Sequence, residues 1–415
     1  MIPPRVLLVL DGLDRAGTER HVLWLGAGLR SLGWDVHVAA TRDGPMRAAM
    51  EAAGLSLHRV RRAGRRDPLY PLRIARLARR IGLAVLHTHC GRLAALGGHL
   101  ARVPAIVDTR HGLGDVGEPP DPRRLRDEAR RARLAHVTIA VCEAERERLR
   151  RGGLPEERVR LVRNGIPLRD PPAVALPAAL PVAMPVAASV APSAALPPGG
   201  AGETSGGPLR LGFLGRLAPE KDPLLLAAIA SALLVRTRLP WTLAVAGGGS
   251  LAPALEAGVR GLGAAAGERV RLLGEIPDPA PFLAAIDLLL LPSLREGQPL
   301  IVLEAMERGI VPLVRAIPSL VELVGGSPPC GLALPGNAEA WADAIAGLAE
   351  RPDEMRRLGE EGRRRVRAHH RIEAQVGAVD RVYRDLFASR GVGLLASAAS
   401  RSISGARHRE RTDSG

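Results

Sequence analysis

The chain has 415 residues, of which 46% are apolar and 24% charged; this composition is globular, and the length fits two domains of ordinary size. Its net charge is +15, yet aromatic residues make up only 2%, too few to stack bases, which argues against a nucleic-acid partner. Three interpretations of the charge remain: an anionic lipid surface, a phosphorylated substrate, or a compositional preference for arginine that selects no partner.

The cysteines and the N-terminal sequence both indicate the cytoplasm. Cys90, Cys142 and Cys330 are odd in number and widely spaced, and they contain no C-x-x-C pair, so they support neither a disulfide framework nor a cysteine zinc site. The apolar run "VLLVL" is too short for the core of a signal peptide and leads directly into Asp11. We therefore expect a protein of a reducing compartment, and "VLLVL" reads as part of a first strand.

Short apolar runs alternate with helical patterns over residues 1–170. Val22, Leu25 and Leu29 recur at helical spacing between the first two runs, and Gly33 follows at the position of a C′ glycine. This β-α-β alternation predicts a parallel sheet with helices on both faces. The predicted strands are "RVLLVL", "DVHVAA", "AVLH", "AIVDT", "VTIAV" and "RVRLV".

Residues 171–207 are rich in alanine and proline and interrupt this alternation. Four prolines within the apolar run exclude a membrane-spanning helix there, because proline breaks the helix interior. The segment is predicted to be a linker without fixed structure.

A second alternation over residues 208–370 predicts a second domain of the same kind. Its predicted strands are "LRLGFL", "WTLAVA", "VRLLG", "DLLLLP", "IVPLV" and "GLALP", separated by helical segments such as "PLLLAAIASALLV" and "LIVLEAMER". Residues 371–388 read as an amphipathic helix that packs back on the first domain, and residues 389–415 as a disordered basic tail. The fold class is thus α/β, with two tandem Rossmann-like doubly wound domains and a ligand site in the cleft between them.

The stretch "LPSLREGQPLIVLEAMERG" combines a strand end, a loop and a helix start. Glu296 and Gly297 lie in the loop, Pro299 suits a first helical position, and Glu304 follows inside the helix. Amides at a helix N-terminus bind anions, and carboxylates accept hydrogen bonds from sugar hydroxyls. The competing interpretation is that the two glutamates are solvated charges at a helix start.

Lys221, in "GRLAPEKDP", is the only lysine in a chain whose Lys and Arg together number 58. It shares the loop after "LRLGFLG" with Arg216, a position that faces the predicted cleft. Two cations are suited to bind a diphosphate: an arginine can donate two parallel hydrogen bonds to its oxygens, and a lysine supplies a compact positive charge. Alternatively, Lys221 is an ordinary surface residue.

Glycines follow the second strand of the second domain in "AVAGGGSLAP". Gly247, Gly249 and Ala252 match G-x-G-x-x-A, with Glu275 further on, but a dinucleotide fingerprint opens the first strand of its domain. Gly247 is therefore interpreted either as part of a close-approach loop beside a ligand or as part of a plain turn.

Two histidine motifs and one asparagine motif complete the candidates. The consecutive residues "HTHC" (87–90) lack a partner ligand cluster, so no metal site is predicted. His111 in "DTRHG" lies at the carboxyl end of the fourth predicted strand, where it faces the cleft or serves as a structural hydrogen-bonding residue. Asn164 in "RNG" is predicted to form a tight turn that leads to the linker.

Taken together, these motifs resemble the group 1 retaining glycosyltransferases of the GT-B fold. "FLGRLAPEKD" and "REGQPLIVLEAMERG" occur in the family's order and distance, with "AGTERHVLWLGAGLRSLGWDV", "DTRHG", "VCEAERERL" and "LVRNGI" in support. The resemblance covers about residues 5–390 apart from the Ala/Pro-rich insertion.

The resemblance implies roles for individual residues in binding a nucleotide sugar. Arg216 and Lys221 would hold the diphosphate, Glu296 the hydroxyls of the transferred sugar, and Glu304 the ribose. The backbone of Gly297, Gln298, Pro299 and Leu300 would meet phosphate or sugar, with the N–H groups of all but the proline as donors. Gly17 would allow close approach of the ligand, and His111 would lie at the reaction centre.

The resemblance also implies retention of anomeric configuration, no metal and no cofactor, with a UDP- or GDP-sugar as substrate. The acceptor is expected to be a glycan, a lipid-linked molecule or a small molecule, and an anionic membrane surface on the cytoplasmic side is a candidate partner. A sugar-nucleotide epimerase of similar fold and a binding protein with a decayed site are the alternatives, and the oligomeric state stays open.

Overall fold

The computed structural model describes residues 3–64, 66–89, 91–112, 122–168, 207–263 and 268–390. The predicted linker, apart from residue 207, lies outside the described residues, as do Cys90 and the tail beyond residue 390. The predictions for these segments stay predictions.

The first domain is a seven-stranded parallel sheet in the order β3-β2-β1-β4-β5-β6-β7. Its strands are β1 (Arg5–Leu10), β2 (Asp35–Ala40), β3 (Ser56–Arg59), β4 (Val85–Thr88), β5 (Ala105–Arg110), β6 (Val137–Ala140) and β7 (Val159–Leu161). Its helices are α1 (Gly17–Ser31), α2 (Arg47–Ala52), α3 (Tyr70–Ile81), α4 (Arg92–Leu100), α5 (Pro122–Ala132) and α6 (Glu143–Arg151).

The second domain is a six-stranded parallel sheet in the order β10-β9-β8-β11-β12-β13. Its strands are β8 (Leu209–Leu214), β9 (Trp241–Ala246), β10 (Val270–Gly274), β11 (Leu288–Leu291), β12 (Val311–Arg315) and β13 (Leu332–Leu334). The helices that follow are α7 (Leu224–Arg236), α8 (Ala252–Gly261), α9 (Pro279–Ala284), α10 (Leu300–Glu307), α11 (Pro318–Val324), α12 (Ala338–Ala349), α13 (Pro352–His369) and α14 (Ile372–Ser389).

The predicted fold class is confirmed: both sheets are parallel and doubly wound. The strand pleat explains why helices cover both faces. Along β1, Val6 and Leu8 pack in one core cluster with α1, whereas Leu7 and Val9 pack in another with α3 and α4. Strands buried on both faces need continuous apolar runs, which is why "RVLLVL" and "LLLL" could be predicted as strands from the sequence.

The last helix, α14, returns to the first domain. Tyr383 is fully buried and, with Val376 and Phe387, joins the core cluster that contains Val6 and Leu8 of β1. Gly28 of α1 faces Val376 so closely that a Cβ at residue 28 would overlap its side chain. The chain therefore crosses between the domains twice, and the two crossings meet side by side, with the Ile166 amide donating to the His370 carbonyl at 2.8 Å.

Both sheets change strand order next to their first strand. β1 lies between β2 and β4, and β8 lies between β9 and β11, so the loops after β1 and β4, and those after β8 and β11, flank a crevice at each sheet's carboxyl edge. Doubly wound folds bind ligands at such points. None of the described helices is long and apolar enough to cross a membrane.

Candidate active site

The loops after β8 and β11 bring Lys221 and Glu296 into contact. Lys221 Nζ lies 2.5 Å from Glu296 Oε1, although 75 positions separate the two residues. Glu296 is buried, and the hydroxyl of Ser319 donates to its backbone carbonyl at 2.7 Å, which fixes the loop. Because buried charges need partners, the two side chains pair with each other in this cleft.

Arg216 is the second predicted cation, and its charge is largely uncommitted. Its side chain is 67% exposed, and its Nε lies 4.0 Å from Glu220 Oε1, at the limit of an ion pair. Exposed pairs of this kind contribute little free energy, so the guanidinium is available to an anion in the cleft.

Glu304 of α10 is buried and forms an ion pair with Arg20 of α1. Arg20 Nη1 donates to Glu304 Oε2 at 3.0 Å, and Arg20 Nη2 donates to Oε1 in the parallel arm of a bidentate pair. The guanidinium of Arg20 also lies 4.8 Å from the ring centroid of Trp24. This pair joins the two domains directly across the cleft.

The turn before α10 packs against the first domain. Helix α10 begins at Leu300 with Pro299 as its N-cap, one position later than the sequence indicated. A Cβ at Gly297 would overlap the backbone carbonyl of His111, so only glycine permits this approach. The predicted donor loop and His111 are therefore neighbours.

Gln298 and Asn164 link the same turn to the end of β7. Asn164 Nδ2 donates to the Gln298 carbonyl at 2.8 Å, and the Asn164 amide donates to the Gln298 side-chain oxygen. The "RNG" motif is thus a buried contact between domains, and the predicted tight turn is wrong: residues 162–165 form no turn, and Asn164 bonds to Gln298 instead. Its partner is 134 positions away, and sequence spacing carries no signal for it.

The glycines after β9 are required by a second close approach. Gly247 and Gly249 have φ of 138° and 150°, and a Cβ at either would overlap the backbone carbonyl of Gly215 or Leu217 in the loop after β8. Gly247 therefore brings two loop backbones together beside Arg216. Whether a ligand contacts Gly247 stays a prediction.

Gly17 is the first residue of α1, and no described atom lies within 4 Å of the position that its Cβ would take. Two residues later, burial raises the pKa of the Glu19 carboxyl from 4.5 to about 7, an effect that Asp14 reinforces and Arg216 partly offsets. Glu19 was not singled out in the sequence, because a glutamate in a first helical turn is ordinary.

His111 belongs to a cluster of three histidines, of which His21 and His89 are buried and His111 is partly buried. His111 Nε2 lies 2.9 Å from His89 Nδ1, and the ring of His21 from α1 meets the His111 ring edge-on, with 4.5 Å between centroids. Burial lowers the pKa of His111 to about 4 and keeps the pKa of His21 and of His89 well below the ordinary value. All three rings are therefore neutral at neutral pH.

Glu322 of α11 forms a further contact between domains that the sequence did not reveal. Its carboxylate accepts hydrogen bonds from the backbone amides of Glu143 and Ala144 at 2.8 and 3.2 Å, and so caps the N-terminus of α6. Arg163 adds a contact of 3.3 Å. A helix that lacks a capping side chain of its own thus receives one from the other domain.

The structure brings the predicted residues into one cleft: Lys221 meets Glu296, Gly297 meets His111, Gln298 meets Asn164, and Glu304 meets Arg20. The cleft offers an uncommitted guanidinium, an ammonium, two buried carboxylates and a neutral imidazole. This set can stabilise negative charge on a leaving diphosphate while hydrogen-bonding hydroxyl groups.

Two family comparisons match, one in each domain. Residues 15–170 match the family described as Glycosyltransferase Family 4, and residues 208–351 match the family described as Glycosyl transferases group 1. A comparison with curated proteins found no significant match.

Solved structures of GT-B glycosyltransferases share the fold. HepE from Anabaena in complex with UDP and glucose matches with a TM-score of 0.72 at 17% identity, over 92% of this chain and 100% of that one. Sucrose-phosphate synthase from Thermosynechococcus elongatus matches with a TM-score of 0.70 at 22% identity, over 93% and 100%. The lipopolysaccharide outer core galactosyltransferase WaaB matches with a TM-score of 0.59 at 14% identity, over 92% and 99%.

Proposed function

We propose that this chain, which belongs to the group 1 glycosyltransferases of the GT-B fold, moves a sugar from a nucleotide-diphosphate sugar to a glycan, a lipid-linked acceptor or a small molecule. We further propose that transfer retains the anomeric configuration and requires no metal. The observation that carries the proposal is the contact of 2.5 Å between Lys221 Nζ and Glu296 Oε1, in a loop that packs against His111.

The donor in this proposal is a UDP- or GDP-sugar. A UDP-sugar is supported by the HepE structures, which contain UDP, UDP with glucose, or UDP-glucose. The diphosphate would lie between Arg216 and Lys221, and its negative charge would face the N-terminus of α10. A cation about 4 Å from a phosphate oxygen contributes roughly 4 kcal/mol at an effective dielectric of 20, before desolvation is deducted.

Donor binding would exchange partners within the cleft. Lys221 would turn from Glu296 to the diphosphate, which leaves Glu296 to accept hydrogen bonds from the transferred sugar. Glu304 would likewise exchange Arg20 for the ribose hydroxyls. Lys221, Glu296 and Glu304 thereby exchange ion pairs for charge-assisted hydrogen bonds. Arg20, whose side chain is 25% exposed, keeps its contact with Trp24 and with solvent.

The transfer step would depend on electrostatics. As the bond between sugar and phosphate breaks, negative charge grows on the departing diphosphate, where Arg216 and Lys221 stabilise it. The leaving phosphate would take the proton of the acceptor hydroxyl on the same face of the sugar, which retains the configuration. His111, kept neutral by its low pKa, would hydrogen-bond the sugar without adding a charge.

Loops of the first domain would bind the acceptor. The reaction would take place in the cytoplasm, at an anionic membrane surface. The net charge of +15 motivates the membrane contact, since each basic residue near an anionic surface contributes about 1 kcal/mol. Sedimentation with phosphatidylserine vesicles and with neutral vesicles tests this part. Equal binding to both would exclude a charge-driven membrane contact.

The decisive experiment incubates the chain with UDP-, GDP- and ADP-sugars, with and without candidate acceptors, in the presence of EDTA. Release of the free nucleotide diphosphate together with a glycosylated product of unchanged anomeric configuration supports the proposal. Conversion of the donor to an epimer without acceptor would indicate an epimerase. Binding without turnover of any donor would indicate a binding protein.

A further inference from the structure

Three histidines from separate elements converge at the cleft. His21 comes from α1, His89 follows β4, and His111 follows β5. One ring nitrogen of each lies within 4.8 Å of the others, and His89 Nδ1 and His111 Nε2 are only 2.9 Å apart. His21 and His89 are buried, whereas His111 is only partly buried and gives the group an opening towards the cleft.

Part of the hydrogen-bonding capacity of this trio is unused. His89 is 6% exposed, and its Nε2 has no hydrogen-bond partner among the described residues. The nitrogen that faces His111 is Nδ1, so an ion bound by the trio would take His89 through Nδ1 and leave the ring proton on Nε2.

The residues around the trio fix the orientation of its rings. The Gln375 amide contacts His21 Nδ1 at 3.1 Å, while the Gln375 oxygen accepts from the Gly165 amide at 2.7 Å. His87 stacks on His89 with 4.3 Å between centroids, and both His87 nitrogens are held at 2.6 Å, by Tyr383 and Thr109. His87 is thus a rigid backing and not a ligand. Outer partners of this kind hold metal-binding histidines in place.

We propose that His21, His89 and His111 form a binding site for a divalent transition-metal ion of the Zn²⁺ class, and that an ion bound there inhibits the enzyme. Imidazole nitrogens select zinc, copper or nickel over magnesium and calcium. Zinc takes nitrogen ligands at about 2.0–2.1 Å, so tetrahedral ligands lie about 3.3 Å apart. The separations in the trio, from 2.9 Å to at most 4.8 Å, bracket this value and require only small ring movements.

The inhibitory half rests on the proposed function, and the binding half does not. Transfer itself needs no metal in that proposal. A bound ion would take the His111 nitrogen away from the reacting sugar and place a dication where a neutral imidazole is required. Zinc would therefore act as an inhibitor of a metal-independent enzyme.

The binding test uses the full chain without a histidine tag, freed of metal with EDTA and then exchanged into buffer, titrated with Zn²⁺ by calorimetry. We expect one ion per chain, and we expect His89→Ala and His111→Ala each to weaken binding by more than about 100-fold, beyond the loss typical of outer partners. The matched control is His58→Ala. His58 Nε2 lies 2.9 Å from His37 Nδ1, the same spacing, but among the described residues this pair does not belong to a group of three potential ligands, so this variant should bind like wild type.

Two further measurements keep the proposal open to refutation if one alanine variant misfolds. Thermal unfolding of each metal-free variant identifies a folding defect, and Zn²⁺ should raise the melting temperature of wild type and of His58→Ala only. The spectrum with Co²⁺ should show no thiolate charge-transfer band. A thiolate band, unchanged binding in both trio variants, or no binding to wild type would overturn the site.

The activity arm separates the two halves of the proposal. We expect Zn²⁺ to stop sugar transfer and EDTA to restore it, whereas Mg²⁺ has no effect. Zinc bound at the trio with transfer undiminished would overturn the inhibitory half. Zinc bound by a chain that turns over no nucleotide sugar would leave the site standing and refute the proposed function.

Discussion

Replacing Lys221 with alanine is the most direct test of the proposed site. Lys221 Nζ lies 2.5 Å from Glu296 Oε1, and the two side chains are 21% and 9% exposed. The lysine charge therefore lies in a poorly solvated part of the cleft. Its attraction to a phosphate oxygen about 4 Å away is roughly 4 kcal/mol at a dielectric of 20, and giving up Glu296 offsets part of this. Loss of one such group typically costs about 2.7–4 kcal/mol, so we expect kcat/KM to fall by about 100- to 1,000-fold.

The assay is release of the nucleotide diphosphate at initial rate, with donor and acceptor varied in turn. Lys221→Arg keeps the charge but replaces a compact ammonium with a wider fork, so we expect activity between wild type and Lys221→Ala. The matched control is Arg260→Ala on α8, where an exposed pair with Glu256 at 3.0 Å contributes at most about 1 kcal/mol to stability. This variant should turn over like wild type.

Lys221→Ala also leaves the Glu296 carboxylate buried without its cation, so stability must be measured alongside activity. The double variant Lys221→Ala/Glu296→Ala removes both charges, and it should regain stability without regaining turnover. Wild-type kcat/KM in a folded Lys221→Ala variant would refute the role of this ammonium. Wild-type kcat/KM in Lys221→Arg would show that charge alone matters and shape does not.

Three further predictions follow from burial and packing. Glu304→Gln removes a charged hydrogen-bond acceptor worth about 1.5–3 kcal/mol, so calorimetry should show UDP binding weakened by at least about 10-fold; unchanged binding would remove Glu304 from the ribose site. Because the folded protein holds a proton on Glu19 up to about pH 7, whereas the unfolded chain releases it near pH 4.5, the stability contributed by Glu19 falls as pH rises between these values. In urea unfolding, the free energy of unfolding of Glu19→Gln should therefore rise relative to that of wild type between pH 4.5 and pH 7, by up to about 3 kcal/mol. A difference that does not depend on pH would contradict this. Gly28→Ala should destabilise the chain by about 1–3 kcal/mol because the new methyl group meets α14, whereas Gly258→Ala, whose methyl group would make ordinary contact at 3.4 Å, should be neutral or stabilising; equal melting temperatures would contradict the packing.

The strands could be predicted because a parallel sheet buried on both faces needs uninterrupted apolar residues. The twelve predicted strands occur within two residues of their expected bounds. The sequence does not predict strand β3, because "SLHR" is short and three of its four residues are polar, as suits an edge strand whose residues stay exposed or partly buried.

The residues predicted to bind the donor could be identified from the sequence because they belong to loop motifs that follow strand ends. The contacts that join the domains were not, because they depend on how two separate folding units meet. His21 reads as one more position on an amphipathic helix, Asn164 as a turn, and Glu322 as a solvated charge. Each finds its partner more than 130 positions away, beyond the reach of any spacing rule.

The return of α14 to the first domain has a consequence for biosynthesis. In the finished structure the whole second domain is an insertion between β7 and the helix that completes the first core. A ribosome that has made residues 1–170 has supplied every strand of the first sheet but not Tyr383 or Phe387, which cover it. One apolar face of the first sheet therefore stays partly uncovered until the last helix has been synthesised. Residues 208–370, by contrast, form a contiguous unit that does not depend on that helix. The domain that is translated first is therefore expected to be the last to become stable.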